Sequence, residues 1–502
     1  MKNKILIFGL FFLFCIPICL EIFHPGFFVS DDGNWMVIRL SSFYEALSSG
    51  QFPVRMLPRL NQGIGYPVAD FLYPLFLYIG SVIHLFKIPF LLDIKLLFAL
   101  SLIGSGIGMY LFLRKSFGTT ASFIGSIIYL YLPYHLYDLY ARGSMGEVVA
   151  LAIIPFLLWA IERKAIVVSS IFLGFLITSH NTLALFFLPF VIVYAYLTKM
   201  KVQQMLLLTS LGLGLAAFFW IPALIDKQFT VFDSVAVSNP FSYFVNTISY
   251  GLIGWIGVAI FGGVLFTRFS LKNTKVLFFI ISGIIGLFFS FSLSSGLWHI
   301  KPLVEFIQFP FRFLSIVLLS ESFLAAYIIE KMPQKILTSI FLLLLLLFSS
   351  WAYLFPKAYS NNPESFYTTN TATTTVQNEY MPIWVKRLPA SYTYQKVITA
   401  NGEAENMVLK GTKLQFSINL QVKTTILITF VYFPGWKATI DGQPATLSPS
   451  WPYGLLQLEV PKGTHVVAVW FGETPLRLFA DGISIVALLI CLFLGIKKIY
   501  EK

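Results

Sequence analysis

Charge is what this chain has least of. Of its 502 residues only 12% are Asp, Glu, Lys or Arg against 57% apolar, and a mean hydropathy of +0.78 excludes a soluble globular protein of this length. Cysteine is scarce too. Cys15, Cys19 and Cys491 all lie inside apolar stretches, which leaves any exported part without a thiol, so neither a disulfide nor a cysteine metal site is expected. A small-x-small cleavage site is missing after the first apolar run, where Pro17-Ile18-Cys19-Leu20-Glu21 stands, and that run reads as a retained helix. The excess of base, +12 overall, forms no continuous basic face interleaved with aromatics, and nucleic-acid binding is set aside with it.

Apolar stretches of near-membrane length are abundant. A crossing helix needs roughly 20 apolar residues, and about thirteen candidates occur, from Ile5–Ile22 and Phe71–Phe86 through Leu91–Leu113, Ala121–Tyr134 and Val148–Ile161 to Leu478–Ile496. Basic pairs at Arg114-Lys115, Arg163-Lys164, Lys199 with Lys201, Arg268 to Lys275, Lys331 with Lys335 and Lys497-Lys498 mark cytoplasmic turns. One parity conflict follows, because Phe71–Leu113 holds two candidate spans where an odd number is needed. The expected class is a polytopic α-helical membrane protein with a bundle over 1–355, a β-rich extracytoplasmic domain over 356–476, and a final helix with its tail over 477–502. Strand patterns at Leu414–Leu420, Thr425–Tyr432, Trp436–Ile440, Leu455–Val460 and Val466–Phe471, with turns at Asp441-Gly442 and Lys462-Gly463, suggest a small β-sandwich.

Polar groups crowd the expected outer loops. Asp31 and Asp32 precede an amphipathic helix carrying Met36, Leu40, Phe43 and Leu47, which should lie along the membrane surface and end near Gly50. One aspartate or Ser30 suffices as a cap, so the other carboxylate is free to act as a general base, tuned by Arg39 or Arg55. Arg55 and Arg59 offer charge to a phosphate, in a Gly/Pro-rich segment that includes Tyr66. The second loop holds His135, Asp138, Arg142 and Glu147. Singly these read as a local ion pair and a helix start, yet together they gather ionisable groups on the side of Asp31 and Asp32. Ser179-His180-Asn181 and Gln308-Phe-Pro-Phe-Arg312 add an interfacial imidazole and a guanidinium able to hold a phosphate bidentately.

These segments, His24-Pro25-Gly26 … Asp31-Asp32, Phe52-Pro-Val-Arg55, Gly63-Ile-Gly-Tyr-Pro67, Pro133-Tyr134-His135 … Asp138 … Arg142-Gly143 … Glu147, Ser179-His180-Asn181 and Gln308-Phe-Pro-Phe-Arg312, resemble a group of bacterial membrane proteins with a 6-pyruvoyl-tetrahydropterin-synthase-related domain. Tyr432-Phe-Pro-Gly-Trp436 … Asp441-Gly442 … His465 is similar to the exported domain of multi-span proteins implicated in glycosylating cell-surface polymers. Both groups resemble, more distantly, the GT-C superfamily of lipid-linked-sugar glycosyltransferases. That resemblance implies a GT-C-like bundle of about 12–14 spans in the bacterial cytoplasmic membrane. It also implies sugar transfer from a polyprenyl-phosphate donor to an extracytoplasmic glycan, lipid or protein. Carried onto this chain, it makes Asp31 or Asp32 the base, Asp138 or Glu147 a second acid, and Arg312 the donor-phosphate ligand. Arg39, Arg55, Tyr66, His135, Arg142, His180 and Asn181 complete the expected substrate surface. No metal is assigned, since no His/Asp cluster has clear ligand spacing, and a divalent ion stays open because relatives differ over metal use. The alternatives are a flippase or transporter for lipid-linked sugars and a non-catalytic envelope assembly factor.

Overall fold

A computed structural model describes residues 2–235, 239–267 and 272–500, the side chains of 2–8 and 498–500 excepted. Arg268 of the expected basic turn and the side chain of Lys498 lie outside the described residues.

Every apolar stretch in the sequence forms a helix or a bent helix pair, but their lengths differ. Five described helices are long and apolar enough to cross a membrane: Phe90–Leu113, Met145–Glu162, Pro310–Lys331, Lys335–Tyr353 and Pro475–Lys497. Two bent pairs, Val202–Leu215 with Ala217–Phe229 and Thr274–Ser290 with Ser292–His299, raise the number to seven, and six further apolar helices have 10–17 residues. Leu75–His84, the helix in the Phe71–Phe86 stretch, has only 10 residues, about 15 Å at 1.5 Å per residue. It is too short to span the hydrocarbon, which removes the parity conflict. Met145–Glu162 and Pro310–Lys331 are the most enclosed spans, whereas Lys335–Tyr353 and Pro475–Lys497 leave most of their surface free for lipid. The two enclosed spans begin at the same end of the bundle.

The helix after Asp32 runs Gly33–Ser48 and is enclosed on its polar side as well as its apolar one. Residues 36–43 are all buried. The polar side is covered by the tract after the bundle: Ser41 donates to the Tyr367 carbonyl at 2.9 Å and Arg39 to the Thr374 carbonyl. That tract also pairs as a strand, Phe27–Phe28 running antiparallel to Tyr359–Ser360.

The β-rich region forms two antiparallel sheets. One orders Val397–Ile398, Thr424–Val431, Leu455–Val460 and Leu447–Pro449; the other orders Ala404–Lys410, Lys413–Leu420, Gly463–Phe471, Trp436–Ile440 and Gln443–Ala445. Alternation drives their packing, with Leu414, Phe416, Ile418 and Leu420 buried between exposed or half-exposed neighbours. Asp441 and Gly442 both have positive φ, +51° and +80°, and close the two-residue hairpin in which Ile440 faces Gln443. The region docks on the first loop of the bundle through Val431 N–H to the Ile64 carbonyl at 2.7 Å and Lys396 Nζ to the Gly63 carbonyl at 2.7 Å.

Candidate functional site

Two backbone hydrogen bonds bring the first and second polar loops together. Asp31 N–H donates to the Ala141 carbonyl at 3.0 Å and Asp32 N–H to the Arg142 carbonyl at 2.9 Å. The approach needs glycine. Gly143 has φ +61°, and a Cβ there would stand 2.4 Å from Ser30 Oγ and 2.9 Å from the Gly33 nitrogen.

The helix that follows is capped by Ser30, whose Oγ accepts from Gly33 N–H at 3.2 Å. Asp32 occupies the N-cap position without a side-chain capping bond. Neither aspartate carboxylate accepts a hydrogen bond among the described residues, so the fold leaves both unspent. Asp31 reaches solvent and Asp32 is half-buried. Desolvation by the surrounding loops pushes the Asp31 carboxyl above the usual aspartate range, Arg142 draws it back, and Asp32 adds to the rise.

Behind the doublet lies a buried cluster around Glu147, the third residue of its span. Its Oε1 takes Arg142 Nη1 at 2.5 Å and Arg312 Nε at 2.9 Å, and stands 3.5 Å from His180 Nε2; its Oε2 accepts from the Tyr134 hydroxyl at 3.2 Å. His180 Nδ1 accepts from Leu183 N–H at 3.3 Å, which leaves the ring proton on Nε2, facing Glu147. Burial pushes that imidazole down to about 3, so the ring is neutral. Arg142 also donates to Asp138 Oδ1 at 3.0 Å. Burial, and then Glu147, push the Asp138 carboxyl well up, and its Oδ2 has no hydrogen-bond partner. Phe309 and Phe311 flank the guanidiniums, with Arg142 4.9 Å from the Phe311 ring and Arg312 4.7 Å from that of Phe309.

The structure thus places Asp138, Arg142, Glu147, His180 and Arg312 in contact and sets Asp31 and Asp32 against the backbone of Arg142. Glu147 is the counter-ion of two guanidiniums with no exposed oxygen, which is not the placement of a free acid. Other expected substrate residues hold the scaffold. Arg55 is enclosed by Asp70, Glu473 and Asp481 at 3.1–3.3 Å and donates to the Phe218 carbonyl at 2.7 Å, so its charge is consumed. Arg39 reaches the Thr374 carbonyl, and Arg59 the Thr368 carbonyl and Ser41. The Tyr66 hydroxyl meets Thr375 Oγ1 at 2.7 Å, His135 Nδ1 meets the Tyr129 carbonyl at 2.9 Å, and Asn181 donates to the Phe71 carbonyl at 3.1 Å.

Sequence reasoning passed over Tyr73, Thr182 and the bonding role of Tyr134. Tyr73 lies among Arg39, Asp32, Glu147 and Arg312, its ring 4.9 Å from His180. The available signal was Gly146 beside Glu147, since a Cβ there would stand 2.2 Å from the Tyr73 ring. Among the described residues no group of three or more His, Cys, Asp or Glu side chains is arranged to hold a metal ion.

Comparison with known proteins bears on this geometry. An uncharacterized protein of Lactococcus lactis subsp. cremoris (strain MG1363) is 26% identical over 263 residues, 48% of this chain and 41% of that protein. The cryo-EM structure of the mycobacterial arabinofuranosyltransferase AftD superposes with a TM-score of 0.50 at 15% identity, over 71% of this chain and 28% of AftD. The apo oligosaccharyltransferase of Archaeoglobus fulgidus gives 0.45 at 13% identity, over 78% and 62% of the two chains. This chain therefore spans under half of the Lactococcus relative and little more than a quarter of AftD. The AftD likeness concerns the fold, which is a GT-C-like helix bundle bearing a β-rich region. The family described as 6-pyruvoyl-tetrahydropterin synthase related domain, membrane protein, matches residues 70–356. That match takes in more than half of the sequence, and the chain belongs to this family of membrane proteins.

Proposed function

We propose that the chain is a membrane glycosyltransferase moving a sugar from a polyprenyl-phosphate donor onto an extracytoplasmic acceptor in the bacterial cytoplasmic membrane. One observation carries this reading: Ser30 caps the helix, so two carboxylates without a structural task stand beside Arg142, which shares one counter-ion with Arg312. Asp31 or Asp32 takes the proton of an acceptor hydroxyl, the oxygen attacks the anomeric carbon, and the carbon–oxygen bond to phosphate breaks. The bonding pair leaves on the polyprenyl phosphate, whose charge Arg142 and Arg312 stabilise. A phosphate needs no protonation to leave, so a second acid is unnecessary. Asp138, Glu147 and His180 then act by holding the guanidiniums.

The test is mass spectrometry of envelope glycans and polyprenyl-phosphate sugars in cells carrying wild-type protein or D31N/D32N. One donor should accumulate in the double variant while the protein remains inserted. Unchanged glycans and donors would end the assignment.

A flippase for lipid-linked sugars is the second reading, favoured by Glu321. This carboxylate lies buried within the Pro310–Lys331 span, and its Oε1 has no hydrogen-bond partner. Translocation of a fluorescent polyprenyl-phosphate sugar in proteoliposomes, lost in E321Q and kept in D31N/D32N, would replace the transferase.

A further inference from the structure

The turn that delivers Arg312 to the site is strained. Gln308 has φ +66° and ψ −49°, a conformation that side-chain-bearing residues rarely adopt. Phe309 N–H donates back to the Ile307 carbonyl at 2.7 Å, which makes residues 307–309 a γ-turn of the positive-φ kind. A residue other than glycine persists there only when its surroundings hold it.

Those surroundings are the preceding helix, where Gln308 N–H donates to the Val304 carbonyl at 3.0 Å, and the Arg312 side chain. The Ile307 carbonyl, turned by the γ-turn, accepts from Arg312 Nη1 at 2.8 Å, and Gln308 Oε1 lies 3.4 Å from the same nitrogen. Thr182 Oγ1 adds a third oxygen at 3.5 Å, its own proton being given to the Phe306 carbonyl at 3.0 Å. Glu147 holds Nε at 2.9 Å, and the Phe309 ring lies against the guanidinium plane. Two of the three nitrogens are thereby fixed. Nη2 makes no hydrogen bond within the protein among the described residues.

We infer that Gln308 is a positioning residue for anion recognition: its γ-turn and side-chain amide orient Arg312 so that Nη2 is offered to a phosphate oxygen. This rests on the phosphate role given to Arg312 above. It adds that residue 308 governs affinity for the charged headgroup without touching it.

Binding of farnesyl phosphate to the purified full-length protein in detergent tests both, with farnesol as the uncharged control. Arg312→Ala should abolish the preference for farnesyl phosphate over farnesol. Gln308→Met keeps the strain and removes the acceptor, while Gln308→Gly removes both. Each should weaken farnesyl phosphate about tenfold, the worth of one charge-assisted hydrogen bond, and leave farnesol unchanged. Gln308→Gly should melt above Gln308→Met because glycine relieves the turn. Wild-type affinity in both Gln308 variants, with the preference lost in Arg312→Ala, overturns the role of Gln308 and leaves the phosphate reading standing. Equal loss of farnesol and farnesyl phosphate overturns it as well, since that is a structural effect. An undiminished preference in Arg312→Ala removes the phosphate reading and this inference with it.

Discussion

Two buried charge networks sit at the same end of this molecule and are built in opposite proportions. Around Glu147, two guanidiniums share one ionised carboxylate, and Asp138 is pushed toward its neutral form. Around Arg55 and Arg477, two guanidiniums meet four carboxylates, Asp70, Asp226, Glu473 and Asp481. Every nitrogen of Arg55 is bonded, and so is every nitrogen of Arg477, which reaches Asp226, Asp70 and the Pro434 carbonyl at 2.8–3.4 Å. In the Glu147 network, among the described residues, only Nη1 of Arg142 and two nitrogens of Arg312 are taken. The guanidiniums are buried in both. Spare donors separate a network that can receive an anion from one that fastens the last helix and the β-rich region to the bundle.

Removing one arginine from each network gives the largest expected contrast. Arg55→Ala leaves the half-buried Glu473 and Asp481 without their cation and the buried Asp70 with Arg477 alone, and should destabilise the protein by about 3–5 kcal/mol. Arg312→Ala leaves Glu147 still paired with Arg142, so a loss of about 1–3 kcal/mol is expected. Ligand binding should run the other way, with farnesyl phosphate lost in Arg312→Ala and retained by whatever Arg55→Ala protein folds. Thermal unfolding and binding in detergent measure both. Equal destabilisation with equal loss of binding would erase the distinction.

The sequence could not display that distinction. Arg55 and Arg312 look alike there, each a cation in a Pro-containing segment at an expected interface. What separates them is partners distant in the chain, Glu473 and Asp481 for one and Glu147 for the other. Features that depend on neighbours in sequence were legible: the apolar stretches, five strands, and the Asp441-Gly442 turn. The Ala404–Lys410 strand was not, because it is exposed along nearly its whole length and carries no period-two pattern. The cover over the polar face of Gly33–Ser48 was illegible for a related reason. Arg39, Ser41 and Ser42 mark a polar face, but backbone carbonyls of residues 367 and 374 cover part of it in place of water.

The loop contact that places the aspartates beside the Glu147 network turns on Gly143. Gly143→Ala puts a Cβ against Ser30 and forces a side-chain residue to φ +61°, a cost of about 1–3 kcal/mol. Transfer activity should fall further than stability accounts for, since the doublet moves away from Arg142. Activity that tracks the folded fraction alone would show that the contact serves stability only.

The aspartates extend the comparison to pH. The Asp31 pKa is raised in the folded state, so across its window the folded chain holds a proton that the unfolded chain has released, and stability declines as pH rises. Asp31→Asn should therefore match or exceed the wild-type melting temperature at neutral pH, whereas Asp70→Asn, which strips a carboxylate shared by Arg55 and Arg477, should lower it. If Asp31 is the base, transfer falls with acidification through a midpoint above the ordinary aspartate value of about 3.9, and that limb is absent from whatever activity Asp31→Asn keeps. A lower melting temperature in Asp31→Asn would mean that its charge supports the fold after all.

The smallest expected effect on ligand binding belongs to Lys396, on the fastening side of the molecule. It lies against Tyr392 and Phe430 and donates to Gly63. Burial lowers its ammonium from the ordinary 10.5 to about 8. Between those values the unfolded chain carries a proton that the folded chain has released, so stability rises with pH across the interval. The rise reflects the shed desolvation of the ammonium, since neutral lysine keeps the Gly63 hydrogen bond. Lys396→Met should flatten the melting temperature between pH 8 and 10 relative to wild type, and should leave farnesyl phosphate binding untouched. Weakened binding in Lys396→Met would show that the docking of the β-rich region reaches the Glu147 network, and the two networks would then have to be treated as one.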